Sequence, residues 1–232
     1  MKKTKLDARL LAVASLIREG AYLADVGTDH AYLPVYLAEC GKISGAVASD
    51  IHKGPLISAE KNIREAGFSD RIRTVLTDGL QGIEKYPVTD IAIAGMGGLM
   101  IRNILEKALF LRGKQSPRLI LQPMQHIPEL RRYLGEQGFV IQEEKQASAD
   151  GKFYQILLAV YDGQVREYTE TELLLGKYNI EHKKENKENF SVLCERQLEI
   201  LREKIGGLER GGRSAEKERS LYAAIEAERK SL

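Results

Sequence analysis

The first 125 residues alternate between short apolar runs and segments in which apolar residues recur at helical spacing. One helical segment carries Leu99, Leu105 and Leu109. A chain that passes from strand to helix to strand lays its successive strands parallel. The sequence therefore predicts an α/β fold with a mostly parallel sheet. The short runs occupy residues 22–26, 46–50, 72–76, 90–94 and 119–122.

Two more runs, at residues 139–143 and 153–161, follow the fifth one. The residues that join them, 149–152, are Ala-Asp-Gly-Lys. Asp-Gly is typical of the tight turn in a β-hairpin. We therefore expect the sheet to end in an antiparallel pair of strands.

The density of charged residues changes near Tyr161. Charged side chains make up 39 of the first 161 residues and 29 of the last 71, which favours two domains, 1–161 and 162–232. A short helix is predicted at 169–175 and ends at Gly176. Two later segments have apolar residues at helical spacing, and the glycines between them predict an antiparallel helical hairpin. The segments carry Phe190, Leu193, Gln197, Ile200, Leu201 and Ile205, then Leu221, Ala224, Ile225 and Glu228, with Gly206, Gly207, Gly211 and Gly212 between them.

Composition excludes several classes of protein. The formal net charge is +2 and the sequence pI is about 8.4, so any contact with nucleic acid needs local basic patches rather than bulk charge. Two distant cysteines, Cys40 and Cys194, cannot build a disulfide framework. No apolar run is long enough for a signal peptide or a membrane span. We expect a cytoplasmic protein without membrane contact, and a monomer.

The first predicted strand ends in an acidic residue and a glycine turn. Residues 25–27 are Asp-Val-Gly, and residues 29–30 are Asp-His. A glycine at this place lets the backbone come close to a ligand. Asp29 stands where a side chain can cap the following helix, and both capping and ligand contact are open for it.

Acidic residues also follow the second and third predicted strands, at Asp50 and Asp78. A carboxylate after the second strand can accept hydrogen bonds from both hydroxyls of a ribose, and one after the third can accept from an exocyclic amine. A single acidic strand end is more often a turn former than a ligand-binding group. Three in succession, counting Asp25, favour a nucleotide-type site at the carboxyl edge of the sheet.

The fourth predicted strand leads into Gly-Met-Gly-Gly at residues 95–98. Such a loop can pass close beneath a substrate. The dinucleotide fingerprint G-x-G-x-x-G is incomplete there, because Met100 occupies the third glycine position, and it is also absent after Gly27. A nicotinamide enzyme is therefore disfavoured. Met96 either fills an apolar gap or offers a surface to a flat ring and a thioether.

Several strings in the chain are more specific than an acidic strand end. They are Asp-His-Ala-Tyr-Leu-Pro at 29–34, Ser-Asp-Ile at 49–51, Asp-Gly-Leu at 78–80, Ala-Gly-Met-Gly-Gly at 94–98 and Leu-Gln-Pro-Met at 121–124. In these strings the chain resembles class I S-adenosylmethionine-dependent methyltransferases, and more narrowly the TrmK family of bacterial tRNA adenine-22 N1 methyltransferases. The resemblance implies a Rossmann-like sheet with a C-terminal coiled-coil hairpin. It also implies methyl transfer from S-adenosyl-L-methionine to N1 of adenine 22 in the D-arm region of tRNA.

The resemblance further implies roles for individual residues. Asp25 and Gly27 line the methionine part of the cofactor, Asp50 holds its ribose, and Gly95 with Met96 forms the floor of the transfer site. The other implied cofactor contacts are Arg9, His30, Ile51, Asp78, Gly79 and Leu80, the last three at the adenine.

The loop at residues 94–97 favours the ring nitrogen N1 over the exocyclic amine as the target. It offers neither an amide side chain for an amino group nor an aromatic ring for stacking. N1 has an in-plane lone pair, needs no deprotonation, and becomes cationic when methylated. A nearby carboxylate would stabilise that charge, and Asp29 is the candidate catalytic group beside Gly95 and Met96. Because N1 is buried in a base pair, the adenine must be exposed or flipped.

Other chemistry has weaker support in the sequence. The four histidines are too scattered for a convincing metal site, and the two cysteines are typical of small buried apolar residues. The charged run 181–188 either forms a solvated helix face or meets phosphates. Several basic residues could likewise meet phosphates: Lys2, Lys3, Lys5, Arg9, Arg102, Arg131, Arg132, Lys183, Lys184 and Lys187.

Two functions compete. The first is a tRNA methyltransferase, and the second is a non-catalytic RNA-binding or assembly factor that keeps the fold. Intact Asp25, Asp50 and Asp78 favour the enzyme, because a non-catalytic factor does not need them. We expect tRNA as the partner and no metal. Whether the helical hairpin contacts tRNA or dimerises is open.

Overall fold

A seven-stranded sheet forms the centre of the computed structural model, which describes residues 4–113, 115–149 and 151–232. The strands are β1 Ala21–Val26, β2 Ile43–Asp50, β3 Ile72–Leu76, β4 Asp90–Met96, β5 Arg118–Pro123, β6 Phe139–Ala149 and β7 Lys152–Tyr161. Their order is β3-β2-β1-β4-β5-β7-β6. The strands β1 to β5 run parallel, and β7 is antiparallel to both β5 and β6.

The predicted parallel sheet and its final antiparallel pair are confirmed. The central strands read as nearly continuous apolar runs because helices cover both faces of the sheet. In the turn between β6 and β7, Gly151 has a φ of +72°. Asp150, the other residue of the predicted Asp-Gly turn, lies outside the described residues.

Five helices cover the two faces of the sheet. They are α1 Ala8–Leu16, α2 Tyr32–Glu39, α3 Lys53–Glu65, α4 Gly98–Lys107 and α5 Ile127–Glu136. Val13, Leu37 and Ile63 pack α1, α2 and α3 on one face. Leu105 and Leu134 pack α4 and α5 on the other face, where two 3-10 turns, Ile83–Lys85 and Leu109–Leu111, complete the layer.

The buried face of α4 differs from the predicted one. Ile101 and Leu105 are buried, whereas Leu99 and Leu109 are exposed. Six residues at about 100° each put Leu99 on a different side of the helix from Leu105. Leu109 belongs to the following 3-10 turn, because α4 ends at Lys107.

Four helices form the C-terminal part of the chain: α6 Glu170–Leu175, α7 Lys177–Glu181, α8 Lys187–Arg210 and α9 Glu216–Lys230. Thr169 caps α6 in a capping box with Glu172. The predicted antiparallel hairpin is α8 with α9, and its apolar seam includes Phe190, Leu201 and Ile225. None of the described helices is both long enough and apolar enough to cross a membrane.

Two details of the predicted tail are wrong. Gly206 and Gly207 lie inside α8, and the turn starts only after Arg210. The helix continues through the two glycines because its last turns pair with α9, as in the ion pair of Glu209 with Arg219. The charged run 181–188 is not one helix face, since α7 ends at Glu181 and α8 begins six residues later.

A buried polar group, here called the junction cluster, joins the sheet to the C-terminal helices. It consists of Arg131, Glu144, Gln155 and Asn179. Nη2 of Arg131 donates to Glu144 Oε2 at 2.6 Å and to Gln155 Oε1 at 2.8 Å, and Nη1 donates to Leu173 O at 2.7 Å. Asn179 Nδ2 donates to Glu144 Oε2 at 2.7 Å. Because α6 and α7 supply two of these partners, they pack as part of the sheet domain, and the boundary at 161/162 stays a prediction.

Candidate active site

The carboxyl ends of β1 to β5 meet at one edge of the sheet, and the strand order changes direction between β1 and β4. Open α/β sheets bind ligands in the crevice at this point. The loops there are tied together, since Thr77 N donates to Asp50 O at 3.0 Å and Met124 N donates to Met96 O at 2.8 Å. This edge therefore brings together most of the predicted site residues.

Hydrogen bonds fix the loop after β1. Gly27 N and Thr28 N both donate to Ser49 O of β2, at 2.8 and 2.9 Å. Gly27 has a φ of +72°, and a Cβ there would collide with Cε of Met96. The left-handed backbone and the close approach of Met96 both favour glycine. The predicted cofactor residue Gly27 and the predicted floor residue Met96 thus lie side by side.

Asp25 is the most buried of the acidic strand ends, at 7% exposure. Its Oδ2 accepts a hydrogen bond from Thr28 Oγ1 at 2.6 Å. Burial raises the pKa of Asp25 to about 6; the Thr28 bond opposes the rise and the charge of Asp29 adds to it. A cationic ligand group would therefore gain a buried, mostly ionised partner at neutral pH. Thr28 is absent from the predicted site residues, although its spacing from Asp25 in a strand-to-turn segment is a usable signal.

Asp29 does not cap α2. The helix begins at Tyr32, and its N-cap is Ala31, in the left-handed conformation and without a side-chain hydrogen bond. Two left-handed residues, His30 and Ala31, separate Asp29 from the helix, so the capping alternative is wrong. The Asp29 side chain is 85% exposed and lies 3.2 Å from Nε2 of His30. It is an accessible carboxylate at the mouth of the site.

His30 and Ala31 have φ values of +58° and +56°. Such backbone is strained in residues other than glycine and is concentrated at functional sites. Asn62 Nδ2 supports the strained segment by donating to His30 O at 3.0 Å. The rings of His30 and Tyr32 stack with their centroids 5.4 Å apart. A partly exposed aromatic surface therefore lies beside Asp29, and Tyr32 is absent from the predicted site residues.

Asp50 ends β2, with a side chain that is 14% exposed. Its Oδ1 accepts from His52 N at 2.7 Å, and none of the residues in the described ranges donates to its Oδ2. The next residue, Ile51, is 57% exposed. The free oxygen of Asp50 can accept hydrogen bonds from ribose hydroxyls. The exposed side chain of Ile51 can contact the base attached to that ribose.

Asp78 follows β3 and forms an ion pair with Lys107 of α4. Its Oδ2 lies 3.3 Å from Nζ of Lys107, and its side chain is 48% exposed. Gly79, with a φ of +59°, packs against Ile104 of α4, and Leu80 is buried. A cavity of about 360 Å³ opens beside these residues. Asp78, Glu84 and Lys107 give it charged walls and Ile104 and Phe110 apolar ones, and the residues at the ends of β1, β2 and β4 do not line it.

The loop after β4 lies close against the loop after β5. Gly98 N donates to Gln125 O at 2.7 Å, and a Cβ at Gly98 would collide with the backbone of residues 125–126. Gly95 has a φ of +81°. Helix α1 brings Arg9 to the same place, where its Nη1 lies 3.6 Å from the position of a Cβ at Gly95.

Several of the basic residues considered for phosphate contact are engaged inside the protein. Arg131 is buried in the junction cluster, so the phosphate alternative is wrong for this residue. Lys183 pairs with Glu228 at 2.6 Å and its side chain is 18% exposed, so its contact with phosphate stays a prediction. Arg132 pairs with Glu170 at the surface, at 3.1 Å. Lys5, Arg102, Lys184 and Lys187 are exposed, and Lys2 and Lys3 lie outside the described residues.

The described part of the chain contains neither a cluster of metal ligands nor a pair of neighbouring cysteines. Within residues 4–113, 115–149 and 151–232, no group of three or more His, Cys, Asp or Glu side chains is placed to hold a metal ion. Cys194 is buried, as predicted, and burial raises the pKa of its thiol to about 11. Cys40 is exposed, contrary to prediction, because it lies just beyond the end of α2.

The fold and the site together define the class of the protein. Acidic ends on three neighbouring strands, glycine turns after β1 and β4, and a final strand inserted antiparallel beside β5 are the features of class I S-adenosylmethionine-dependent methyltransferases. In agreement with this, the family described as "Methyltransferase domain" matches residues 6–157.

Individual relatives narrow the class. The Bacillus subtilis tRNA (adenine(22)-N(1))-methyltransferase is 41% identical over 171 residues, which are 70% of this chain and 71% of that protein. The crystal structure of the B. subtilis M1A22 tRNA methyltransferase TrmK has 31% identity, a TM-score of 0.79, and coverage of 98% of this chain and 97% of that one. A Streptococcus pneumoniae protein in complex with S-adenosyl-L-methionine has 34% identity, a TM-score of 0.83, and coverage of 97% and 100%. The chain belongs to the family of tRNA (adenine-22 N1)-methyltransferases.

Proposed function

We propose that this protein transfers a methyl group from S-adenosyl-L-methionine to N1 of adenine 22 in tRNA. The observation that carries the proposal is the set of carboxylates at or just after the carboxyl ends of β1, β2 and β3, at the edge of the sheet that also holds the left-handed Gly27 and Gly95. A non-catalytic RNA-binding factor has no use for this arrangement. The similar proteins from B. subtilis also support the enzyme, because both are named as tRNA methyltransferases.

The residues at the edge fit this cofactor. When bound, S-adenosyl-L-methionine supplies an electrophilic methyl group on a sulfonium sulfur. Asp50 Oδ2 can accept from the ribose hydroxyls, the buried Asp25 faces the cationic methionine part, and Gly27 lets the backbone come close. The remaining assigned contacts are Asp78, Gly79 and Leu80 at the adenine, together with Arg9, His30, Ile51 and Gly95.

Three residues are assigned to the transfer itself. Gly95 and Met96 form the floor of the transfer site, and the accessible Asp29 carboxylate stabilises the positive charge that develops on the adenine ring. N1 needs no general base, because its lone pair is in the ring plane and carries no proton. The stacked rings of His30 and Tyr32 offer the flipped base an aromatic surface next to Asp29.

The hairpin of α8 and α9 is assigned to tRNA contact, and the protein is expected to act as a monomer. A chain that ends at Glu185 keeps α6 and α7, and with them the partners of the junction cluster. This shortened chain should bind S-adenosylhomocysteine about as tightly as the full chain and lose most tRNA methylation. Full-rate methylation by the shortened chain would show that the hairpin serves another purpose, and light scattering of the full chain tests the monomer.

The activity is tested with unmodified tRNA, full-length protein and S-adenosyl-L-methionine. Mass spectrometry of the digested nucleosides should detect 1-methyladenosine, and primer extension should stop immediately before position 22, because 1-methyladenosine cannot form a Watson–Crick pair. A transcript with guanine at position 22 is the matched control and should stay unmodified. Methylation at another atom or position would correct the target, and no methylation of any tRNA would overturn the proposal.

A further inference from the structure

Gln122 near the end of β5 is fully buried and hydrogen-bonded on both sides of its amide. Its Oε1 accepts from Arg9 Nη1 at 2.9 Å and from Gly95 N at 3.0 Å. Its Nε2 donates to Pro123 O at 3.0 Å. One side chain therefore joins α1, the end of β4 and the end of β5, which are far apart in the sequence.

Arg9 has few other partners. Its Nε lies 3.7 Å from Asp7 Oδ2, and its guanidinium carbon lies 5.8 Å from the centroid of the Tyr154 ring. In the described part of the chain, Gln122 is the only hydrogen-bond acceptor of the Arg9 side chain, which is 20% exposed. A guanidinium has five N–H donors, so most of the donors of Arg9 are available to a ligand.

The chemistry of the cofactor indicates which ligand group Arg9 would take. S-adenosyl-L-methionine has one anionic group, the carboxylate of its methionine part. The acidic strand ends Asp25, Asp50 and Asp78 suit its donors and cationic groups but repel a carboxylate. Arg9 is a cation at the same edge, and a guanidinium can bind a carboxylate through two parallel hydrogen bonds.

We propose that Gln122 is a positioning residue that holds the Arg9 guanidinium beside Gly95, ready for the carboxylate of the cofactor. The proposal rests on the proposed function, because it takes its ligand from there. An arginine side chain that is already held in place loses less conformational freedom when the ligand binds. Removing Gln122 therefore weakens binding of the carboxylate more than binding of the rest of the cofactor, which Gln122 supports only through Gly95 N.

The test compares two ligands by calorimetric titration of the full-length protein. They are S-adenosylhomocysteine and its decarboxylated form, which lacks only the carboxylate. Gln122→Met keeps the side-chain volume without the strong acceptor, and it should lower affinity for S-adenosylhomocysteine about tenfold. Affinity for the decarboxylated ligand should stay within about twofold of wild type. Arg9→Met should show the same pattern, and the double variant should add little, because the two residues act as one unit.

Gln155→Met is the matched control. Gln155 is also buried and also accepts from an arginine, but it belongs to the junction cluster. Its loss should lower the melting temperature and leave both affinities unchanged. Should Gln122→Met fail to fold, Gln122→Glu keeps the acceptors and places a negative charge beside Arg9, and it should again weaken S-adenosylhomocysteine alone.

Two results would overturn the proposal. Equal losses for both ligands would make Gln122 a general support of the loops, and unchanged affinity for S-adenosylhomocysteine would remove it from the site. If the wild-type protein binds neither ligand, the cofactor assignment of the proposed function fails, and this result is distinct from a failure of the Gln122 variants.

Discussion

Two groups of polar side chains in this molecule are organised in opposite ways. In the junction cluster, the Arg131 and Glu144 side chains are at most 1% exposed, and each has several partners within the chain. At the sheet edge, Asp25 has one side-chain partner despite its burial, and Asp29 is 85% exposed. Satisfied polar groups hold the shape of a protein, whereas carboxylates with spare capacity can bind a ligand.

The difference predicts two kinds of mutational effect. Changes in the junction cluster should cost stability and leave the chemistry of the folded protein intact, because its partners are all internal. Changes among the edge carboxylates should cost binding or rate with little loss of stability. The experiments below test this separation, from the largest expected effect to the smallest.

Glu144→Gln should have the largest effect on stability. It removes the charge that balances the buried Arg131, and breaking a buried pair in this way costs about 3–5 kcal/mol in the free energy of unfolding. Urea unfolding measures the loss. Glu170→Gln is the matched control, since its partners Arg132 and Lys217 lie at the surface, and it should cost less than about 1 kcal/mol. Similar losses in the two variants would show that the junction cluster stabilises the fold no more than a surface ion pair does.

Asp29→Ala should leave the fold intact and slow the chemistry. The loss of one electrostatic partner of the developing charge should lower the single-turnover rate of methylation by about two to three orders of magnitude. Affinity for S-adenosylhomocysteine should stay within a few fold, and the melting temperature should hardly change, because Asp29 caps no helix. Asp70→Ala, an exposed aspartate before the opposite end of β3, is the control. A normal rate in the Asp29 variant would end the catalytic assignment.

Asp50→Ala should weaken the cofactor rather than the fold. It removes the acceptor for the ribose hydroxyls, and hydrogen bonds to a charged group contribute about 1.5–3 kcal/mol, so affinity for S-adenosylhomocysteine should fall roughly ten- to a hundredfold. Calorimetric titration measures the change. His52→Ala removes the exposed neighbour of Asp50 and should have a much smaller effect. Unchanged affinity in the Asp50 variant would take this residue out of the site.

The sequence predicted what depends on local pattern. The strands were located by their apolar runs, and the acidic residues after them could be foreseen as neighbours because parallel strands end at one edge. The partners of Arg131 could not be foreseen, since they lie 13 to 43 positions away in the chain. The same holds for Gln122, the partner of Arg9, which lies 113 positions away. For the same reason the sequence leaves Arg131 among the residues that could meet phosphate, although the fold buries it. Local pattern also placed the tail's turn at Gly206, where packing against α9 keeps the helix intact.

The smallest expected effect is the change of cofactor affinity with pH that Asp25 causes. Its pKa of about 6 in the folded protein lies above the ordinary value of 3.8, so its contribution to stability is present below about pH 4 and is lost as the pH rises through 6. The cationic part of the cofactor favours the ionised form. Affinity of the wild type for S-adenosylhomocysteine should therefore fall about tenfold between pH 7 and pH 5, because protonation competes with binding. Asp25→Asn keeps an acceptor for Thr28 but has no charge to titrate, so its weaker affinity should be nearly flat over the same range. Calorimetric titration of both proteins at pH 5, 6 and 7 measures this, and parallel pH profiles would assign the titration to another group.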